Sequence, residues 1–185
     1  MNIAQPDGIL ARMYDRAQIQ ESLYRYARGV DRGNWDLVRS TYHTDAYDEH
    51  GSYKGGVDGL IEWLEDRFSA VDNSTHFLGN CIIEFVGPDK ALVETYYVSR
   101  RLRPPIGDEL KIAGPSDRMC REGWGRYVDV FERRDGEWRV SHRTIVQETS
   151  STSLAIGGAR DPAMRWGRRD EFDLLFETQK NLMRA

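Results

Sequence analysis

Asp31 and His76 are the two residues whose chemistry could make this chain do something. Asp31 lies in the stretch YARGVDRGNW, residues 26–35, and His76 in DNSTHFLGN, residues 72–80. A neutral imidazole is the usual general base near neutral pH. A carboxylate on its other ring nitrogen sets the tautomer and stabilises the cation formed when the ring takes a proton. The bland alternative is a satisfied core histidine and an acid that merely ends a helix. Tyr26 is five residues before Asp31, where a phenol could donate to a carbonyl or a leaving group, or simply fill the core. Arg143, in VSHRTIV, could hold a developing anion if it faced a cavity. Strict alternation places it opposite Trp138 and Val140, but both faces of the segment carry apolar residues, so parity leaves its direction open. An exposed arginine paired with an acid is the other reading. His50, beside Asp48 and Glu49, reads as surface loop. His43, His50 and His142 lack the spacing of a metal set. No glycine-rich phosphate loop, GxSxG or HExxH occurs.

These side chains need elements to hold them. Residues 1–9 read as a flexible N-terminus. From Leu10, the spacing of Ile19, Leu23, Tyr26 and Val30 predicts a helix, with Gly29 weakening its last turn and Gly33 stopping it. Asn34 is a candidate N-cap for a short helix carrying Trp35. Residues 44–51 read as loop or short strand, 54–56 as a turn and 57–71 as an amphipathic helix. Residues 74–86, 91–101, 124–133 and 137–149 read as strands, the last two joined by Asp135-Gly136, a hairpin signal. Residues 104–118 form an insertion between strands, 150–160 a loop, and 161–184 a helix. Helices followed by antiparallel strands predict an α+β fold, a curved sheet wrapped around its helices. Such a sheet encloses a cavity suited to a small molecule.

Composition narrows the class. The chain has 185 residues, enough for one domain with a tail, placed at 10–150 with a C-terminal extension at 151–185. Only four of the 26 basic residues are lysine, and the arginines are scattered among 30 acids, which excludes a nucleic-acid footprint. Cys81 and Cys120 form no metal, redox or disulfide pattern. The N-terminal MNIAQPDGIL lacks the basic start and apolar run of a signal peptide, and no segment has the length of a membrane helix, which predicts a cytoplasmic protein.

Residues 19–35, Tyr53-Lys54-Gly55, Thr75-His76-Phe77 with Asn80, and YVDVFERRDGEW at 127–138 together resemble the SnoaL-like family of the nuclear-transport-factor-2-like superfamily. The resemblance runs over residues 10–150. It implies a cone of curved antiparallel sheet with helices closing its mouth. It further implies a cofactor-independent, metal-free lyase in which Asp31 and His76 are the dyad that removes a proton. Water, halide or a small carbon fragment such as formaldehyde would leave a bulky cyclic or aromatic substrate. By position, Tyr26 stands where a family dehydratase has tyrosine and the dehydrochlorinase lysine, and Arg143 where the latter has an assisting arginine. His50 replaces the tyrosine that handles the departing hydroxyl in the dehydratases. The same fold also serves isomerases, polyketide cyclases and the non-catalytic β subunits of ring-hydroxylating dioxygenases, so proton transfer without elimination, or an assembly role, are the alternative readings. A homotrimer or homodimer is implied, since family sheets bury a face against a neighbour.

Overall fold

The computed structural model describes residues 6–114, 116–155 and 161–184. Helix α1, Pro6–Arg32, begins four residues before Leu10, and proline suits a first helical turn because its missing N–H has no helical partner there. Residues 1–5 of the expected flexible N-terminus lie outside the described residues. Ile19, Leu23, Tyr26 and Val30 form the buried stripe, each at most 2% exposed, and such side chains contribute about 1.5–3 kcal/mol apiece when removed from water. The helix ends as expected: Gly33 turns left-handed at φ +65°, and the Asn34 N–H reaches back to the Gly29 carbonyl at 2.9 Å.

Gly29 does something other than weaken that turn. A Cβ there would lie 2.7 Å from Val38 Cγ2, so the glycine lets α2, Trp35–Arg39, pack against α1. Asn34 caps α2 through its side chain, which accepts from the Leu37 N–H at 3.0 Å. Strands β1, Tyr42–His50, and β2, Tyr53–Gly56, come next, followed by α3, Val57–Phe68, which buries Val57, Leu60, Ile61, Leu64 and Phe68. Strands β3, Asn73–Phe85, β4, Lys90–Arg103, β5, Met119–Arg134, and β6, Glu137–Leu154, complete one curved, unclosed six-stranded sheet in the order β2-β1-β6-β5-β4-β3. All pairings are antiparallel except β1 with β6. The fold is α+β, and α1 and α3 pack against the sheet.

Four stretches differ from the sequence reading. Residues 54–56, read as a turn, are part of strand β2, which pairs antiparallel with β1. Strand β6 continues through 150–154, where Ser150 to Leu154 pair with Gly123 to Met119; the polar Ser/Thr run resembled loop only because its partner is remote. Residues 156–160 of the expected loop lie outside the described residues. The insertion folds a 3₁₀ turn, Gly107–Lys111, pinned by Arg103, which donates twice to Glu109 at 2.6 and 2.8 Å. Within 161–184 only α4, Leu174–Leu182, is helical; before it the chain runs as turns.

The parity of Arg143 also resolves. Strand β6 carries an extra residue at Ser141, since Phe131 pairs with Val140 while Val130 pairs with His142. A bulge of this kind shifts the alternation by one. Arg143 therefore points to the same side as Trp138 and Val140, and all three are buried.

Candidate functional site

The last turn of α1 brings Asp31 against the start of β3. His76 Nδ1 lies 2.7 Å from Asp31 Oδ1, and the His76 backbone N–H donates to Oδ2 at 2.7 Å. Ser74, two residues earlier on the same strand face, donates its hydroxyl to Oδ1 at 2.8 Å. Burial alone would raise the Asp31 carboxyl. The His76 ring, the His76 N–H and the Ser74 hydroxyl outweigh it and hold the carboxyl below its ordinary value. An ionised Asp31 is an acceptor only, so His76 Nδ1 carries the hydrogen of that bond, and in the neutral form of the ring the lone pair lies on Nε2.

Asp31 sits at the negative end of a helix, an unfavourable place for an acid. The C-terminal extension offsets this. Arg169 donates to the carbonyls of Val30 and Asp31 at 2.8 and 3.0 Å, and Arg32 lies 3.7 Å from Asp173. Residues after 160 thus brace the end of α1 that carries Asp31.

His76 lines a cavity of about 160 Å³, bounded also by Tyr26, His50, Trp63, Tyr97 and Tyr127. Tyr26 is packed edge-on against Tyr42 and Tyr127, with centroids 6.0 and 5.7 Å away. Burial pushes its phenol well above the ordinary value, so it keeps its proton and can donate a hydrogen bond.

His50 is no surface loop. It ends β1, lines the cavity and lies tilted beside the Trp63 ring, with centroids 5.2 Å apart. Its Nδ1 is 3.4 Å from Asp48 Oδ1 without hydrogen-bond geometry. Burial lowers the pKa of this ring despite the opposing pull of Asp48. A neutral histidine in this position can offer a hydrogen bond to a group in the cavity.

Arg143 does not reach the cavity. It is 0% exposed, grips Asp129 with two bonds of 2.8 and 2.6 Å, and donates to the Tyr42 hydroxyl at 3.2 Å. The rings of Tyr26 and Tyr127 lie 4.2 and 4.3 Å from its guanidinium carbon. Burial works against its charge, and Asp129 more than restores it. Tyr42 in turn donates to Asp48 at 2.7 Å, so a hydrogen-bonded chain runs from Arg143 through Tyr42 to Asp48, beside His50. The expectation that Arg143 holds an anion directly is corrected: the side chain is fully buried outside the cavity lining, and each of its guanidinium nitrogens is bonded to Asp129 or Tyr42.

The structure thus brings His76, Tyr26 and His50 to one cavity, with Asp31 bonded to His76 from outside the lining, and leaves Arg143 behind its wall. Sequence reasoning missed Ser74, Asp48 and Arg169. Ser74 was findable, two residues before His76 on one strand face; the other two depend on remote packing. It also missed Arg67, Arg101 and Arg121, which line the cavity together. Among the described residues, no three His, Cys, Asp or Glu side chains converge as a metal site, and no helix is long and apolar enough to cross a membrane.

A fold and cavity of this kind define a class, and residues 11–144 match the SnoaL-like domain. The chain belongs to that family. An uncharacterized protein of Mycobacterium tuberculosis H37Rv is 25% identical over 139 residues, covering 72% of this chain and 86% of its own. Among solved structures, a type 2 hexachlorocyclohexane dehydrochlorinase superposes with a TM-score of 0.69 at 22% identity, covering 84% of this chain and 99% of that one. A protein of Novosphingobium aromaticivorans, provisionally assigned as a scytalone dehydratase, superposes with a TM-score of 0.65 at 15% identity, covering 76% and 89%. These identities establish a shared fold.

Proposed function

We propose that the protein is a cofactor-independent lyase whose Asp31–His76 dyad removes a proton from a small cyclic or aromatic substrate. The observation that carries this reading is the hydrogen bond of 2.7 Å that leaves His76 Nε2 as the free acceptor on a residue lining the cavity. In the step, Nε2 takes a proton from carbon. The C–H electron pair becomes the new double bond, and the leaving group on the neighbouring carbon departs with its own bonding pair, as halide or as a hydroxyl that takes the proton back from the His76 imidazolium and leaves as water. Asp31 stabilises the imidazolium that forms. Tyr26 and the neutral His50 donate hydrogen bonds to the departing group.

The likeness to a dehydrochlorinase and to a provisionally assigned dehydratase supports elimination as the reaction type. A volume near 160 Å³ suits about one ring, more compact than the bulky substrate the family resemblance implies. The outer face of the sheet, where Tyr96 and Trp124 are exposed, would meet a second copy of the chain.

The test is a panel of halogenated and hydroxylated single-ring compounds, with products read by mass. Elimination lowers product mass; isomerisation leaves it unchanged and would replace the lyase reading. His76→Ala abolishes turnover while the protein stays folded. Asp31→Asn lowers the rate roughly 10³- to 10⁴-fold by misorienting the ring. Full activity in either variant would remove that residue from the mechanism.

A further inference from the structure

The arginines of β4 and β5 divide into two groups. Arg100, Arg103, Arg126, Arg133 and Arg134 each reach a carboxylate. Arg101 and Arg121 reach none among the described residues. They are direct cross-strand partners, Arg101 opposite Arg121, and both line the cavity. Like charges placed directly opposite destabilise a sheet. The neighbouring register position makes the contrast plain, since Arg100 faces Glu122 and the two ions lie 3.6 Å apart. Arg67, from the last turn of α3, lines the same cavity and also reaches no carboxylate among the described residues.

The three cations are held in place without being neutralised. Arg67 lies over the Trp63 ring at 4.9 Å and Arg101 over Phe68 at 5.0 Å. The hydrogen bond of Arg121 is a long one of 3.5 Å to the Ser150 hydroxyl. Burial, then Arg67, Arg121 and Arg103, push the Arg101 guanidinium down to about 10. A charge cluster that costs stability and faces a cavity is matched to a ligand that supplies the missing negative charge.

The register also places these cations near the proposed base. Ser74 pairs with Arg101 and His76 with Ser99, so Arg101 is diagonal to His76 on the same face of the sheet, their backbone positions roughly 7 Å apart. Both side chains line the one cavity. We propose that Arg101, Arg121 and Arg67 form the receptor for a carboxylate on the substrate, making the substrate class a compact cyclic or aromatic carboxylic acid. A carboxylate suits the planar guanidinium fork in two-point contact. This inference rests on the lyase reading for the word substrate, but the receptor itself is read by binding alone.

The experiment is titration calorimetry of the full chain with benzoate, phenylacetate and cyclohexanecarboxylate, each against its neutral amide, and with inorganic phosphate. At least one carboxylate binds about tenfold or more tightly than its amide, the order expected of charge-assisted hydrogen bonds. Arg101→Met and Arg121→Met abolish that preference and raise the melting temperature, because each relieves the cross-strand repulsion. A role confined to the scaffold would instead lower the melting temperature and leave the preference alone, and that result overturns the proposal. So does a wild-type protein that retains no acid over its amide. Phosphate bound as tightly as the organic acids, and lost with them in Arg101→Met, would overturn the assignment to a carboxylic acid. His76→Ala keeps the preference; if that variant also kept turnover, the dyad would fall while the receptor stood.

Discussion

Arg143 and the Arg101–Arg121 pair occupy the same curved sheet and have opposite surroundings. Arg143 is fully enclosed, with a bidentate carboxylate, a tyrosine hydroxyl and two aromatic faces around it. Arg101 and Arg121 oppose each other on the cavity wall with no carboxylate among the described residues. A buried charge whose three guanidinium nitrogens are all hydrogen-bonded belongs to the scaffold, because exchanging it leaves its partner stranded. A charge left uncompensated beside a cavity is available to a ligand. The anion-holding role expected of Arg143 thus passes to arginines the sequence reading did not single out.

That contrast can be broken from either side. The largest effect is expected of Arg143→Met, which strands the buried Asp129 and costs about 3–5 kcal/mol of stability. Urea unfolding measures it, and wild-type stability would mean that the network is dispensable. Ser74→Ala removes a buried hydroxyl from Asp31 and costs about 1–2 kcal/mol by the same assay, with a smaller fall in turnover than Asp31→Asn.

Acid titration gives a gentler probe. The folded state holds Asp31 below its ordinary carboxyl value, so its contribution is complete above about pH 4 and is lost as pH falls toward the depressed folded value. His50 is also depressed. The unfolded chain takes up its proton first, so stability declines on acidification below about pH 6.5. His50→Gln flattens the upper part of this profile and Asp31→Asn the lower part. A profile that neither substitution changes would show that these groups titrate alike in both states.

Much of this arrangement was legible in the sequence where the cause is local. Asn34 and Gly33 announced a helix end by residue type, and Asp135-Gly136 formed the expected hairpin, both at positive φ. Asp31 and His76 were paired through family resemblance, and the structure places them in hydrogen-bond contact. What failed depended on partners far along the chain. His50 looked like surface loop because β1 is completed by β6, nearly a hundred residues later. Arg143 was ambiguous because one extra residue at Ser141 reverses the alternation. The placing of Arg101 opposite Arg121 is a property of register and could not be read before the strands were aligned.

The most direct test of the central claim is the protonation of the His76 ring, read by ¹⁵N–¹H NMR of the labelled protein at neutral pH. The account predicts a hydrogen on Nδ1, bonded to Asp31, with Nε2 unprotonated, and loss of that arrangement in Asp31→Asn. A hydrogen on Nε2 with Nδ1 bare would contradict it, because the ring would then have no free base to offer the cavity.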